Sequence, residues 1–133
     1  MPDEEHRSIT VQEIRLTDSE GKLRGWLSTE ANGWTSLALC DVSGKKRVEV
    51  AVPQDGNPYV HLNDSRGCPR LDLYVDQNGD PGVGFFSEGS ELLLSIGLSE
   101  KRKGVGITMW SGGEGKHHFS IEVDPDGHHQ SGF

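Results

Sequence analysis

From residue 48 onward, apolar residues recur at alternate positions: Val48, Val50 and Val52; Val60 and Leu62; Leu71, Leu73 and Val75; Val83 and Phe85; Leu94, Ile96 and Leu98. Period-two runs of this length, punctuated by glycine, mark strands with one apolar face. No stretch combines the i, i+3, i+4, i+7 spacing with caps that would mark an amphipathic helix, so the chain is expected to be all-β.

The alternation is itself repeated. Leu16, Leu39, Leu62 and Phe85 lie 23 residues apart, as do Asp18, Asp41 and Asp64, Gly21, Gly44 and Gly67, and Arg24, Arg47 and Arg70. The same interval links Asn32-Gly33, Asp55-Gly56 and Asn78-Gly79. A looser fifth copy brings Ile121 under Ile96 and places Asp126-Gly127 in the slot of the earlier dipeptides. Each unit has two turn signals and therefore two strands.

Facing apolar residues set the expected registers, because a slip of one residue would send a whole strand to the other face. Across the first turn, Leu39 with Val48, Leu62 with Leu71 and Phe85 with Leu94 leave two-residue type I′ loops at Ser43-Gly44, Arg66-Gly67 and Gly89-Ser90. Across the second, Leu27 with Leu39, Val50 with Leu62 and Leu73 with Phe85 require an odd loop. Three residues with Gly left-handed satisfy this, or five where Pro53 and Pro58 bracket the turn.

The expected fold is an antiparallel up-and-down meander of about ten strands from five hairpin repeats, closed as a barrel or packed as a sandwich or oligomer. A β-solenoid with one unit per coil is the alternative. Residues 1–11 read as a flexible N-terminal segment, 12–127 as a single all-β repeat domain and 128–133 as a flexible tail.

Composition agrees with a one-faced sheet. The 133 residues are only 32% apolar, and 18 glycines are spread over turn positions. A net charge of −8, with 13 Lys and Arg against 21 Asp and Glu, argues against nucleic acid and anionic membranes as partners. No apolar run is long enough to span a bilayer, and the N-terminus lacks the basic and apolar regions of a signal peptide. The cytoplasm is the expected compartment, non-classical export aside. Cys40 and Cys68 have no metal or redox spacing, fall three strands apart and read as free thiols.

The residues between the core positions form a second face that is not uniformly polar. Trp26, Tyr59, Tyr74, Phe86 and Trp110 fall on it among Arg24, Arg47, Arg70, Glu49, His61 and Asp72. Three roles fit: cross-strand sheet stabilisation, with Tyr74 covering Gly84 on the neighbouring strand; burial against identical subunits; or a stacking platform for a sugar or other ligand. The candidate ligand- or partner-binding residues are Trp26, Arg47, Tyr59, His61, Tyr74, Phe86 and Trp110. The Asp column is expected to accept backbone hydrogen bonds in the turns, and the Arg column to bridge acidic neighbours.

Recognisable catalytic grammar is missing. The chain has neither a G-x-S-x-G elbow nor a phosphate loop. Asp76-Gln77-Asn78-Gly79-Asp80 begins like an EF-hand loop but continues with Pro81 and ends with Ser87 in place of Gly and Glu. His117-His118 and His128-His129 are adjacent pairs whose members point to opposite faces of a strand, so neither chelates alone. No metal, cofactor or catalytic residue is expected.

The unit Leu-x-Asp-x-x-Gly-x-x-Arg with a later Asn/Asp-Gly resembles tandem β-hairpin repeats of uncharacterised bacterial proteins, over about residues 14–98 well and 105–127 loosely. More distantly it is similar to the YD repeats of large secreted toxins and adhesins. The resemblance implies β-structure and brings no catalytic residues. The expected function is a non-enzymatic structural or interaction module that self-associates or docks a protein partner. A small-molecule or glycan-binding barrel is the alternative.

Overall fold

The computed structural model describes residues 8–99, 104–110, 118–124 and 126–132. Most of the segment 1–11 and His117 of the first His pair lie outside these residues. The strands are β1 (Glu13–Thr17), β2 (Leu23–Thr29), β3 (Thr35–Cys40), β4 (Lys46–Val52), β5 (Tyr59–Asn63), β6 (Pro69–Val75), β7 (Pro81–Phe86), β8 (Leu92–Ser99), β9 (Gly104–Trp110), β10 (His118–Val123) and β11 (His129–Gly132). They form one sheet in sequence order, each strand antiparallel to the next. The last strand falls within 128–133, the segment read from sequence as a tail.

The meander is therefore observed, with eleven strands where about ten were expected. β1 and β11 are the two edges and do not pair, so the sheet is open and the barrel closure is corrected. The solenoid is excluded by the same order. In a solenoid, positions 23 apart would sit on adjacent coils, whereas Leu39 and Leu62 lie on β3 and β5 with β4 between them.

The turns of both classes share one geometry. Asp41 N–H donates to the Lys45 carbonyl and Gly44 N–H to the Asp41 carbonyl, and the bonds recur around Gly21, Gly33, Gly67, Gly79 and Gly127. This is the three-residue loop in which a type I turn is followed by a left-handed residue. Glycine fills the left-handed slot with φ between 78° and 86° at seven turns, and Ser90 fills it at φ 63° in the eighth. The two-residue type I′ loops expected at the first turn do not form. The five-residue loop between Pro53 and Pro58 does not form either, since Gly56 N–H donates to the Pro53 carbonyl.

Parity explains how the expected pairs Leu39–Val48, Leu62–Leu71 and Phe85–Leu94 survive the change of loop. A three-residue loop pairs residues an even number apart, so two such turns cannot return a repeat of 23 residues to the same face. One extra residue per unit is required, and it appears as a β-bulge beside each first turn, at Leu16/Thr17, Leu39/Cys40, Leu62/Asn63 and Phe85/Phe86. The residues without a partner of their own are Arg24, Arg47, Arg70 and Leu93. At the second turn no bulge is needed. There Leu27 pairs with Leu37, Val50 with Val60 and Leu73 with Val83, one pleat away from the expected partners, because glycine must occupy the last loop position.

Two of the repeated arginines serve these bulges. Arg47 Nε donates to the Asn63 carbonyl at 2.9 Å while Asn63 Nδ2 donates to the Lys46 carbonyl at 3.0 Å. Arg70 Nε donates to the Phe86 carbonyl at 2.8 Å. Each guanidinium thus supplies a donor where the next bulge interrupts the ladder; at Asn63 the facing residue is Pro69, which has no N–H of its own. Bridging of acids is secondary: Arg47 also reaches Asp41, at 3.4 Å.

The aspartates fulfil their expected role. One carboxylate oxygen of Asp18, Asp41, Asp64, Asp76 and Asp124 accepts two backbone N–H groups, from the residues two and four positions on, and Ser87 Oγ does the same in the turn between β7 and β8. The carboxyls of Asp41 and Asp64 are lowered from 3.8 to about 2. The leading cause is the Ser43 hydroxyl for Asp41 and the Arg66 guanidinium for Asp64, with backbone donors adding to each against partial desolvation.

Two outcomes are expected. Gly44→Ala and Gly67→Ala should each lower stability by about 1 kcal/mol, because a Cβ is strained at these φ values. Ser90→Gly should raise it by less, since glycine also adds freedom to the unfolded chain; chemical denaturation of the three variants measures both. Because the folded Asp41 and Asp64 pKa values are depressed, the stability they contribute is complete above about pH 4 and is lost as the pH falls toward 2. Denaturation midpoints should drop across that window, less steeply in Asp64→Asn; an identical slope in the variant would exclude Asp64 as a contributor.

Candidate functional site

The two faces of a single-layer sheet are the surfaces available for function, and they are unlike. Ile14, Leu27, Leu37, Val50, Val60, Leu73, Val83, Ile96, Ile107 and Ile121 are paired strand to strand and form one continuous row from β1 to β10. A second row runs beside it through Leu39, Val48, Leu62, Leu71, Phe85, Leu94, Met109 and Phe119. Neither row contains a charged side chain. Ten strands at about 4.8 Å make this face roughly 43 Å wide.

Nothing among the described residues covers it. Leu27, Val50 and Leu73 remain 45%, 43% and 44% exposed, and no large side chain among the described residues is fully buried. The best-buried apolar residues are instead Ala38 at 0% and Ala51 at 2%, both on the opposite face. The inversion has a simple origin: in one layer a side chain is sheltered only by its lateral neighbours, so small residues between large ones disappear while branched residues among equals stand proud. A shallow groove of about 570 Å³ opens in the aliphatic face, lined by Val50, Val60, Leu73, Val83, Ile96 and Val105.

The other face bears the residues singled out from sequence, and the structure distributes them. Tyr59 stacks on His61 with ring centroids 4.0 Å apart, and Trp34 meets Tyr59 edge-on at 6.5 Å. Tyr74 lies over Gly82 rather than Gly84: a Cβ added to Gly82 would fall 2.5 Å from the Tyr74 ring, and Tyr74 pairs with Gly82. Phe86 covers Gly84 together with Leu92. Trp26 is paired beside Ala38, and Trp110 stands opposite His118. Trp26 on β2 and Trp110 on β9 are seven strand spacings apart, about 34 Å, so the seven residues do not converge on one ligand. Arg47 is engaged with Asn63.

The register does assemble a polar cluster that reading the sequence missed. Glu49, His61 and Asp72 are directly opposite one another on β4, β5 and β6. Glu49 is buried at 7% exposure and pairs with Lys46 Nζ. Burial first, then the charge of Glu49 and a hydrogen bond to it, then the charge of Asp72, push the Tyr59 phenol up to about 12. Desolvation raises the Asp72 pKa against the opposing pull of His61. His61 Nε2 stands 3.3 Å from Asp72 Oδ1, but in a geometry that forms no hydrogen bond, so this buried oxygen has no donor. Trp34, Lys46 and the alignment of Glu49 with His61 become visible only once the three-residue turn places Val50 against Val60.

Toward the C-terminal edge, Gly97 and Gly106 leave a cavity of about 360 Å³ on the polar face, bounded by Ser95, Thr108, Glu122, Asp124 and His128. Asp124, Asp126 and His128 bring their ligand atoms within 4.8 Å of one another there and could surround a cation. One Asp124 oxygen is already committed to the Asp126 and His128 amides, and the other lies 3.2 Å from His128 Nδ1. Cys40 and Cys68 are free thiols, and no helix among the described residues is long and apolar enough to cross a membrane.

The fold and its two faces define an open, single-layer antiparallel β-meander. No family model matches the chain, and no curated protein is significantly similar to it.

The aromatic-over-glycine packing predicts that Gly82→Ala, which drives a methyl group into the Tyr74 ring, lowers stability by about 1–3 kcal/mol. Thermal or urea unfolding reads this directly, and a neutral effect would mean that Tyr74 moves aside at no cost.

Proposed function

We propose that the chain is a non-enzymatic structural or interaction module whose work is done by its aliphatic face, through self-association or the docking of a protein partner. The observation that carries this reading is the pair of uncharged rows, one running across ten strands and the other across eight, left open to water among the described residues. Exposed apolar patches of a few hundred Å² are ordinary on a monomer, whereas larger ones mark surfaces meant to be covered. Sheets normally bury one face against a second layer, and the described residues form only one layer.

The polar face supports the same assignment by contrast. Its acids and bases are engaged with one another and with the bulges, and its aromatics fill gaps over small residues along the sheet. A glycan or metabolite platform would need those aromatics to converge. The turn grammar shared with tandem hairpin repeats fits a structural module equally well.

The purified chain should therefore either have a mass above that of one polypeptide or, as a monomer, strongly enhance the fluorescence of anilinonaphthalene sulfonate. A folded monomer that leaves the dye dark would sink the proposal, because its aliphatic face would then be neither occupied nor open.

A further inference from the structure

We infer that the occupant of the aliphatic face is a second copy of the same face, so that two chains stack as the layers of a two-sheet sandwich. The inference rests on the interaction-module reading and adds the identity of the partner. Surface area is the first argument. A compact monomer of 14.6 kDa exposes roughly 6,900 Å², whereas this chain exposes 9937 Å². The surplus of roughly 3,000 Å² per chain, roughly 6,000 Å² over two chains, is ample for what obligate homodimers hide, about 2,000–5,000 Å² over both partners.

Shape and chemistry select the partner. An occupant must be broad, aliphatic and twisted to match ten strands, because neither row offers a charge or hydrogen-bonding side chain by which another kind of surface could be recognised. A copy of this chain meets every condition by construction. Two sheets of the same twist stack congruently with their strands offset by about 30° and their inner faces about 10 Å apart. The groove lined by Leu73, Ile96 and Val105 receives side chains from the facing sheet.

Charge placement permits the contact despite a net charge of −8 on each chain. The turn carboxylates of Asp18, Asp41, Asp64 and Asp76 lie at the strand ends, outside both rows, and so fall on the solvated rim of the pair. The Lys46–Glu49 and His61–Asp72 pairs lie on the opposite face and become its outer surface. Since no large side chain among the described residues is fully buried within one chain, folding and pairing are coupled, and stability depends on protein concentration.

Sedimentation equilibrium of the full chain, from micromolar to sub-micromolar concentration, tests the assignment. The expected result is the mass of two chains, with a thermal midpoint that rises with concentration. Leu73→Lys and Val50→Lys should each weaken pairing about 100-fold, from the cost of an unpaired charge in an apolar interface, while Val42→Lys, in an exposed turn, leaves it unchanged. If the face variants fail to fold, the concentration dependence of the wild-type midpoint still reports pairing. A folded monomer at all concentrations overturns the inference, as does a mass other than two or a dimer unaffected by Leu73→Lys. A monomer that takes up dye defeats only the second-copy assignment; a monomer that does not defeats the module reading as well.

Discussion

An odd-numbered repeat closed by three-residue turns obeys a parity constraint on which the rest of this structure depends. Both turns of a unit pair residues an even number apart, so without correction Leu16, Leu39, Leu62 and Phe85 would alternate between the faces of the sheet. The bulge beside each first turn absorbs the odd residue and keeps all four on one side. Every later feature follows from that single inserted position: the unbroken aliphatic rows, the polar face behind them and the arginine that occupies the bulge.

The repeated polar residues are best understood as the machinery that maintains this parity. Aspartate organises the turn by accepting two amides, glycine permits its left-handed last residue, and arginine supplies the donor that the next bulge lacks. Unit four shows how far the grammar can be relaxed. Ser87 replaces aspartate with a hydroxyl in the same two bonds, Ser90 replaces glycine at a less comfortable φ, and Leu93 replaces arginine. The topology holds because pairing with β7 and β9 on either side fixes β8 even where the local signals weaken.

A sheet of one layer distributes burial in an unfamiliar way. Its small residues are its most hidden, its aliphatics remain half open, and its largest ionisable cluster is sheltered on the face that would ordinarily meet water. Burial and the charge of Glu49 raise the Tyr59 phenol, and burial raises the Asp72 carboxyl against the pull of His61, so that face is filled with interacting polar groups. The chain thus presents one surface whose side chains engage one another and one whose side chains are left open to water. This asymmetry is what gives the aliphatic face its functional weight.

The residues themselves determined much of this. Period-two alternation dictated strands, the 23-residue interval dictated hairpins, and the Asp and Gly columns dictated turns, because each is a local consequence of side-chain geometry. The seven aromatic and basic candidates could be placed on the polar face by the same alternation. What local geometry left undecided was longer in range. A two-residue loop and a three-residue loop with a bulge give the same facing pairs, so the bulge and the task of Arg47 emerged only with the backbone hydrogen bonds. The one-pleat slide at the second turn moved Glu49 opposite His61 and Gly82 beneath Tyr74, contacts that depend on absolute register rather than on parity. Whether the sheet closes was likewise a tertiary decision: an edge strand must meet its opposite edge, and β1 and β11 do not.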